Sequence, residues 1–226
     1  MQNIRLYVDK NRISPYAMSV YVALKEKGLD FQEIVIDLDQ QQQKSAAYQA
    51  ICPSAKVPCL IVDNFSLFES WAITEYLEDT FPAPSYPALY PKEIQARAKC
   101  RAIQALVKTD FMQIRQQMPS DSVFHPPKIS TPLTAPITEE IQRLVNVAEY
   151  MLEDIWLTEH WSIADFDLAF MLHRLLSHQV KLPVKIIEYV ERNFKCASVQ
   201  AWLAEHEKAK TLIQCRLIKQ FIKKPS

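Results

Sequence analysis

Glycine is almost absent from the sequence. Of the 226 residues only Gly28 is a glycine, whereas an average composition would give about 16 in a chain of this length. The dinucleotide-binding fingerprint, the phosphate-binding loop of P-loop enzymes and the nucleophile elbow of α/β-hydrolases each need more than one glycine. The sequence therefore excludes all three kinds of site.

An excess of charge of one sign is also lacking. The chain has 26 Lys+Arg and 26 Asp+Glu, a formal net charge of zero. Proteins that bind nucleic acids by neutralising phosphates are typically basic. No uncharged apolar run approaches the roughly 18 residues of a membrane span, and the start of the chain lacks the apolar core of a signal peptide. We therefore expect a cytoplasmic protein with neither a nucleic-acid nor a membrane partner.

No cysteine or histidine grouping is typical of a disulfide framework or a metal site. The five cysteines are scattered, odd in number and without a CxxC pair, and the five histidines are also dispersed. Disulfide scaffolds and zinc sites need paired or closely spaced ligands. We therefore expect no metal and no tightly bound cofactor.

The first 80 residues alternate between strand-like and helix-like patterns. The predicted elements, in order, are a strand at residues 4–8, a helix at 15–27, a strand at 31–36, an irregular or weakly helical segment at 40–51, strands at 59–62 and 66–68 with a turn at 63–65, and a helix at 70–81. Gly28 suits the left-handed position after a helix. The order βαβαββα predicts an α/β domain with a mixed sheet over residues 1–82.

Beyond residue 82 the pattern becomes entirely helical. Residues 82–92 contain four prolines, which suits a semi-rigid linker, here placed at 83–92. Helical spacing follows at 93–117, 138–157, 163–178, 184–192 and 199–210, with a five-proline loop at 119–137. The basic, amphipathic tail from Thr211 to Lys224 favours a docked helix over one lying on a membrane surface. We therefore expect an all-helical domain over residues 93–226.

Ser14-Pro15-Tyr16 lies where the first strand gives way to the first helix. Ser14 is a favourable N-cap and Pro15 a favourable first helical residue, which is a complete structural explanation. The same position would let the Ser14 hydroxyl donate a hydrogen bond to an anion such as a thiolate, beside helical amides that favour negative charge. The residues alone leave both interpretations open.

Two further segments carry possible binding groups. A cis bond at Val57-Pro58 would expose the Val57 backbone for strand-like pairing with a peptide, although an ordinary loop proline explains the pair equally well. Ser70 can serve as the N-cap of the next helix. Glu69 and Ser70 can also bind an ammonium and a carboxylate, the two charges of an α-amino acid.

Taken together, these segments resemble the glutathione transferase family. The segments that carry the resemblance are Ser14-Pro15-Tyr16, Cys52 to Leu60 (C-P-S-A-K-V-P-C-L), Glu69-Ser70, and a capping-box pattern at Ser162 to Asp165. Within the family the chain is similar to the bacterial YfcF-like group and to the serine-type plant tau class. The resemblance covers nearly the whole chain and implies a thioredoxin-like N-terminal domain, a helical C-terminal domain and a homodimer.

The resemblance also implies a role for each matching residue. Ser14 would stabilise the thiolate of glutathione, the co-substrate, and Val57, before a cis Pro58, would pair with its cysteinyl unit. Glu69 and Ser70 would bind its γ-glutamyl end and Lys56 its glycyl carboxylate. A small hydrophobic electrophile or a peroxide would bind in a pocket for which the pattern suggests Tyr16, Phe111, Met112 and Arg115.

Three functions of different classes follow from these observations. The leading expectation is a glutathione transferase, with glutathione peroxidase activity as a further expectation. A glutathione-dependent thiol–disulfide oxidoreductase is an alternative, although such chemistry needs a protein thiolate where this chain has Ser14. A non-catalytic interaction module of the same fold is the other alternative.

Overall fold

The computed structural model describes residues 2–128 and 132–222, with side chains as far as Thr211. In chain order the elements are β1 (Ile4–Asp9), α1 (Pro15–Glu26), β2 (Gln32–Ile36), a 3₁₀ turn (Gln42–Lys44), α2 (Ala46–Gln49), β3 (Cys59–Val62), β4 (Phe65–Phe68), α3 (Ser70–Thr80), α4 (Ile94–Thr109), α5 (Met112–Gln117), a 3₁₀ turn (Ser120–Val123), α6 (Ala135–Met151), α7 (Ile163–Ser177), α8 (Val184–Phe194) and α9 (Ala197–Ile222). The predicted order of an α/β unit followed by helices is confirmed.

The four strands form one mixed sheet in the order β2-β1-β3-β4. β1 pairs in parallel with β2 and antiparallel with β3, and β3 pairs antiparallel with β4. Alternate residues of β1 pack on opposite faces: Leu6 and Val8 join the main core with α1 and α3, while Tyr7 packs with Tyr48 and Cys59 on the other face. The sheet therefore has a covered face on both sides, as its apolar strands require.

Non-glycine residues occupy the left-handed backbone positions that glycine usually takes. Among the described residues these are Arg12, Gln41, Ala55, Asp63, Glu69, Phe111 and Gln179. The predicted turn at 63–65 is one residue too long, because Phe65 pairs with Val62 and leaves a two-residue turn. Asp63, with φ of 54°, takes the positive φ there, and Asp tolerates this conformation better than most residues.

The predicted single helix over residues 93–117 is wrong. α4 ends at Thr109, Asp110 is extended, and Phe111 has φ of 58° before α5 begins. The Asp110 carboxylate accepts a hydrogen bond from the Phe111 amide at 2.8 Å and from Arg143 of α6 at 2.7 Å. This local cap replaces helical hydrogen bonds and buries the Phe111 ring completely, which apolar spacing alone does not reveal.

The predicted helix over residues 138–157 begins earlier and ends earlier in the structure. Pro136 lies in the first turn of α6, where the backbone amides have no partner within the helix and a proline is tolerated. The predicted proline loop at 119–137 is therefore shorter than expected, because the helix already begins at Ala135. The helix stops at Met151, and the amide of Leu157 donates instead to the Asp165 carboxylate at 2.8 Å. A tertiary hydrogen bond thus takes the place of helix continuation.

The predicted capping box at the start of α7 is confirmed. The Asp165 carboxylate accepts from the Ser162 amide at 2.8 Å, and both residues are completely buried. The last helix is longer than the predicted 199–210, since α9 continues to Ile222. Of the tail expected to dock as a helix, Lys223 and Lys224 lie outside the described residues.

A buried ion pair attaches the linker to the first domain. Lys27, at the end of α1, is 1% exposed, and its Nζ lies 2.8 Å from the Glu78 carboxylate of α3. The same Nζ donates to the carbonyls of Phe81 at 2.8 Å and Pro87 at 2.9 Å. Glu78 in turn accepts from the Leu89 amide at 2.9 Å. These contacts fix both ends of a segment that has no helix or strand of its own.

The linker also contacts the second domain. The Leu89 carbonyl accepts from the Ile163 amide at 3.0 Å, at the start of α7. Tyr90 hydroxyl lies 2.8 Å from Thr74 of α3 and donates to Gln104 of α4 at 2.8 Å. The two domains therefore meet through a hydrogen-bonded linker. No helix within residues 2–128 and 132–222 is long and apolar enough to cross a membrane.

We expect Lys27→Met to lower the free energy of unfolding by about 3–5 kcal/mol, the usual effect of removing one partner of a buried ion pair. Three oxygen acceptors, including the Glu78 carboxylate, lose their shared donor in this variant. Chemical denaturation measures the change. Lys25→Met, on the exposed side of the same helix, is the control and is expected to lose less than about 1 kcal/mol. Equal losses in the two variants would contradict the role of the pair.

Candidate active site at the domain interface

The N-terminus of α1 presents Ser14 as the sequence predicts. Ser14 precedes the first helical residue, Pro15, and its Oγ accepts a hydrogen bond from the Ala17 amide at 3.3 Å. Because the oxygen is the acceptor in this bond, the hydroxyl hydrogen remains able to donate to another group. Ser14 is half-buried. The N-cap geometry and a donor role for Ser14 are thus compatible.

Two contacts hold the loop before Ser14, and no local sequence pattern indicates either of them. Asp9, at the end of β1, is 2% exposed and accepts from the amides of Ile13 at 2.8 Å and Ser14 at 3.2 Å. From α9, Trp202 Nε1 donates to the Arg12 carbonyl at 2.9 Å. Burial raises the pKa of Asp9, while these amides oppose that change. The backbone that carries Ser14 is therefore fixed by both domains.

The segments around Pro58 and Glu69 meet in one cleft. The Val57-Pro58 peptide bond is cis, as predicted. The cleft opens to solvent, and the space between its walls is about 560 Å³ when that opening is included. It is lined by Tyr16, Ser54, Lys56, Val57, Pro58, Glu69, Ser70, Lys108 and Arg115. Every residue predicted to bind the tripeptide is in this set. Ser14 is not, although its neighbour Tyr16 is.

Glu69 has an unusual backbone conformation at the start of α3. Its φ is 73° and ψ 111°, and it occupies the N-cap position, with Ser70 as the first helical residue. The expectation that Ser70 is the N-cap is therefore wrong by one residue, because the left-handed Glu69 already ends the preceding strand. The exposed Glu69 carboxylate forms an ion pair with Lys108 of α4. Residues outside a helix in such conformations are concentrated at functional sites.

A second cavity adjoins the cleft on the side of the helical domain. We call it the interdomain cavity; it opens to solvent, and the space between its walls is about 480 Å³ when that opening is included. It is lined by Pro15, Tyr16, Ser70, Trp71, Gln104, Val107, Lys108, Arg115, Asp167, Phe170, Met171 and Arg174. Tyr16 and Arg115, both predicted pocket residues, lie here and are hydrogen-bonded to each other through the Tyr16 hydroxyl. Burial raises the pKa of Tyr16.

The structure does not bring Phe111 and Met112 to either cavity. Phe111 is completely buried, with the Arg143 guanidinium 4.8 Å from its ring centre, and Met112 is 49% exposed. The left-handed turn at Phe111 breaks the helical phase that suggested their position. Lys108 and Arg174, which the sequence analysis did not select, line the interdomain cavity instead.

Asp167 contributes a carboxyl group to the interdomain cavity. It accepts from Gln104 Nε2 at 2.8 Å, and Gln104 in turn accepts from Tyr90 of the linker. Desolvation by burial raises the pKa of Asp167 to about 6, against the lowering effect of the Gln104 hydrogen bond. The cavity wall is therefore connected by side-chain hydrogen bonds to the linker.

Three of the four cysteines whose side chains the structure describes are too buried to act as nucleophiles. Cys52, Cys59 and Cys100 are completely buried, and burial raises the pKa of Cys59 to about 12 and that of Cys100 to about 11. Neither cavity is lined by a cysteine from this part of the chain. The described residues also contain no group of three or more His, Cys, Asp or Glu side chains that could hold a metal ion.

The raised pKa of Asp167 makes stability depend on pH. The native state holds the proton between about pH 4 and 6 while the unfolded state has lost it, so this group destabilises the fold as pH rises through that range. We expect the free energy of unfolding of Asp167→Asn, relative to that of the parent protein, to rise by on the order of 2 kcal/mol between pH 4 and pH 7. Urea denaturation at four pH values measures this difference.

Asp110→Asn is the matched control for this titration. Its ion pair with Arg143 lowers the pKa of Asp110 to about 2, so its effect on stability is already complete above pH 5. The difference between this variant and the parent protein is expected to stay constant from pH 5 to 7. A constant difference for Asp167→Asn as well would contradict the assignment.

Comparison with known proteins identifies the family. The family model described as "Glutathione S-transferase, N-terminal domain" matches residues 13–80, and the one described as "Glutathione S-transferase, C-terminal domain" matches residues 93–208. Glutathione S-transferase T1 of Arabidopsis thaliana is 27% identical over 218 residues, 92% of this chain and 85% of that protein. Human glutathione S-transferase theta-1 is 28% identical over 72% of this chain and 69% of that protein.

A solved structure extends the similarity over nearly the whole chain. The crystal structure of a glutathione transferase homologue from Burkholderia gl BGR1, with bound glutathione, is 34% identical and covers 92% of this chain and 99% of that chain, with a TM-score of 0.74. Sequence similarity over both halves and an equivalent fold point to the same conclusion. The chain belongs to the glutathione S-transferase family of enzymes.

Proposed function

We propose that the protein binds glutathione in the cleft, activates its thiol with Ser14 and transfers the tripeptide to a small hydrophobic electrophile. One observation carries the proposal: two separate segments, residues 56–58 and 69–70, line a single cleft beside the N-terminus of α1. A peptide needs both backbone pairing and charge recognition, and these segments offer one each. The bound glutathione of the Burkholderia homologue supports the same assignment.

The backbone of Val57 is available for a peptide ligand. Within the described residues, neither its amide nor its carbonyl takes part in a hydrogen bond. Val57 is half-buried beside the buried Pro58, so an extended cysteinyl unit would restore two backbone hydrogen bonds there. The exposed Lys56 would meet the glycyl carboxylate at the end of this pairing.

The γ-glutamyl end would bind at Glu69 and Ser70. Ser70 lies at the start of α3, where helical amides favour a carboxylate, and the Glu69 carboxylate would accept the ammonium. Lys108 already neutralises Glu69. The ligand's ammonium would therefore replace or share the Lys108 contact, so the net gain from this ion pair is smaller than that of an unpaired carboxylate.

Thiol activation requires a modest stabilisation of the thiolate. A free thiol has a pKa of about 8.5, and lowering it by about two units takes about 2.7 kcal/mol. A hydrogen bond to a charged group contributes about 1.5–3 kcal/mol, and the α1 N-terminus adds to it. The Ser14 hydroxyl, whose hydrogen is not used in its bond to Ala17, would supply this donor.

The thiolate would then attack a substrate held in the interdomain cavity. Attack on carbon forms a thioether. In a substitution the leaving group departs with the electron pair of the broken bond, and in an addition to a double bond the displaced electron pair takes a proton from solvent. Attack on a peroxide oxygen breaks the O–O bond, releases an alcohol and leaves oxidised sulfur, which a second glutathione converts to the disulfide and water. Both reactions use the same thiolate, so peroxidase activity is part of the proposal.

The described cysteines argue against the oxidoreductase alternative. Mixed-disulfide exchange needs an accessible protein thiolate, whereas Cys52 and Cys59 are buried and burial raises the pKa of Cys59 to about 12. An interaction module without turnover would have no use for the Val57, Glu69 and Ser70 arrangement in one cleft. Transferase chemistry uses all of these groups.

A homodimer is also part of the proposal. Phe65 and Phe68, on the edge strand β4, are 49% and 37% exposed, and such apolar side chains on an open edge favour a protein contact. The domain division at residues 82 and 93, the cytoplasmic location and the similarity to the YfcF-like and tau groups stay predictions.

Calorimetric titration with reduced glutathione tests the binding site. We expect saturable binding to the parent protein and at least a tenfold loss for Glu69→Gln, because the neutral amide cannot offset the ligand's ammonium; about 1.4 kcal/mol corresponds to this factor. Asp79→Asn, an exposed carboxylate on the same helix, is expected to bind like the parent protein. No binding at millimolar glutathione would favour the interaction module.

Two hydroxyl deletions test the thiol activation. Ser14→Ala is expected to raise the pKa of bound glutathione and to lower kcat by about 10²-fold or more, with little change in glutathione affinity. Tyr16→Phe removes a hydroxyl that lines the cleft and is expected to leave the thiol pKa unchanged. The ultraviolet absorbance of the thiolate is measured as the difference between the glutathione complex and the free protein. Its dependence on pH gives the pKa of the bound thiol. An unshifted thiol pKa in Ser14→Ala would overturn the assigned role.

A further inference from the structure

The interdomain cavity contains more positive charge than a pocket for a neutral molecule requires. Lys108, Arg115 and Arg174 line it, against the single carboxyl group of Asp167. Lys108 is paired with Glu69, but neither arginine has an acidic partner within 4.0 Å among the described residues. Two guanidinium groups therefore face this space without a counter-ion from the described chain.

Arg174 is the more unusual of the two. It is 6% exposed, its Nη1 donates to the Met118 carbonyl at 2.8 Å, and its Nε is buried without a hydrogen-bond partner. Desolvation lowers the pKa of this guanidinium to about 10. A buried charge without a counter-ion is unfavourable. A ligand that supplies a negatively charged acceptor would remove this unfavourable contribution.

A second orphaned donor belongs to another residue that lines this cavity. The indole Nε1 of Trp71 is also buried without a partner, and Trp71 lines the interdomain cavity together with Arg174. Indole and guanidinium N–H groups can only donate. The unsatisfied groups of this wall therefore match a ligand that only accepts, such as a carboxylate.

Asp167 only partly offsets this preference. Its carboxyl group accepts from the Gln104 amide at 2.8 Å, and among the described residues it forms no ion pair with Lys108, Arg115 or Arg174. The remaining lining, from Val107, Phe170 and Met171, is apolar. An anionic head attached to an apolar or aromatic body fits both parts of the wall.

We propose that the electrophile bound in the interdomain cavity is an organic acid, whose carboxylate is held by Arg115 and Arg174 with the Trp71 indole. This rests on the proposed transferase function and names its substrate class. Arginine suits the role because its planar fork meets a carboxylate through two parallel hydrogen bonds. The reacting carbon would then lie toward Tyr16, which lines both cavities.

A matched pair of substrates tests the proposal. 4-Chloro-3-nitrobenzoate and its methyl ester share the ring and the leaving group and differ in charge. In both, the glutathione sulfur bonds to the carbon that bears chlorine, the ring returns the electron pair by expelling chloride, and the thiol proton goes to solvent. The ratio of kcat/KM for the acid over the ester is compared between variants, so that the intrinsic reactivities of the two substrates cancel.

We expect this ratio to fall at least tenfold in Arg174→Met and in Arg115→Met, and severalfold in Trp71→Phe. Arg101→Met, which removes an arginine on α4 that pairs with Glu75 outside both cavities, is the control and is expected to keep the parent ratio. Arg115 is only half-buried, and Trp71→Phe removes the N–H while keeping an aromatic side chain, so the test does not depend on folding of the Arg174 variant. An unchanged ratio in both of these variants overturns the proposal.

Equilibrium binding separates this proposal from the transferase function. 4-Chloro-3-nitrobenzoate and its methyl ester are titrated calorimetrically into the protein without glutathione. Tighter binding of the acid, lost in Arg115→Met and kept in Arg101→Met, supports the anion site even if no conjugation occurs. Conjugation without a preference for the acid in either measurement would retain the transferase and reject the organic-acid substrate.

Discussion

The buried Lys27–Glu78 pair fixes the path of the linker between the two domains. The Lys27 Nζ donates to the carbonyls of Phe81 and Pro87, and Glu78 accepts from the amide of Leu89, so the linker follows a single path across the ends of α1 and α3. The Leu89 carbonyl then accepts from the amide of the first residue of α7. Because the cleft and the interdomain cavity have walls from both domains, their shapes depend on this path and on the direct packing of α1 against α7 and α9.

The scarcity of glycine has a consequence at the site itself. Arg12, Ala55 and Glu69 adopt positive φ in three segments next to the cleft, where side chains make such conformations unfavourable by about 1 kcal/mol or more. Two of them, Arg12 and Glu69, are held by contacts from other helices. The Arg12 carbonyl is bound by Trp202, and the Glu69 carboxylate by Lys108. Strained backbone persists when its surroundings determine it fully, so the cleft depends on contacts that reach it from α4 and α9.

Local patterns were sufficient for much of the fold and for one half of the site. Strand alternation, helical spacing and capping residues act over a few positions, so the sheet, most helices and the segments at Ser14, Val57 and Glu69 could be predicted. The hydrogen bond from Trp202 to the Arg12 carbonyl joins residues that are 190 positions apart, and nothing in the sequence near either residue indicates it. The break at Phe111 depends on Arg143 from another helix. It displaced Phe111 and Met112 from the predicted pocket, because helical phase is lost after a break. Lys108 lies before that break on α4 and Arg174 on α7, and no local pattern distinguishes them from other basic residues of those helices.

The two cavities offer different charged partners, and in the proposed reaction this difference orients the two ligands. The cleft has the Glu69 carboxylate, which the ammonium of a γ-glutamyl group would share with Lys108. The interdomain cavity alone is lined by Arg174, which would meet the anion of the electrophile. The γ-glutamyl ammonium would be disfavoured beside that guanidinium, which is how like charges contribute to specificity. The common wall of the two cavities contains Tyr16, Ser70, Lys108 and Arg115, so a thiolate activated at the N-terminus of α1 would lie at the boundary between the two charged regions.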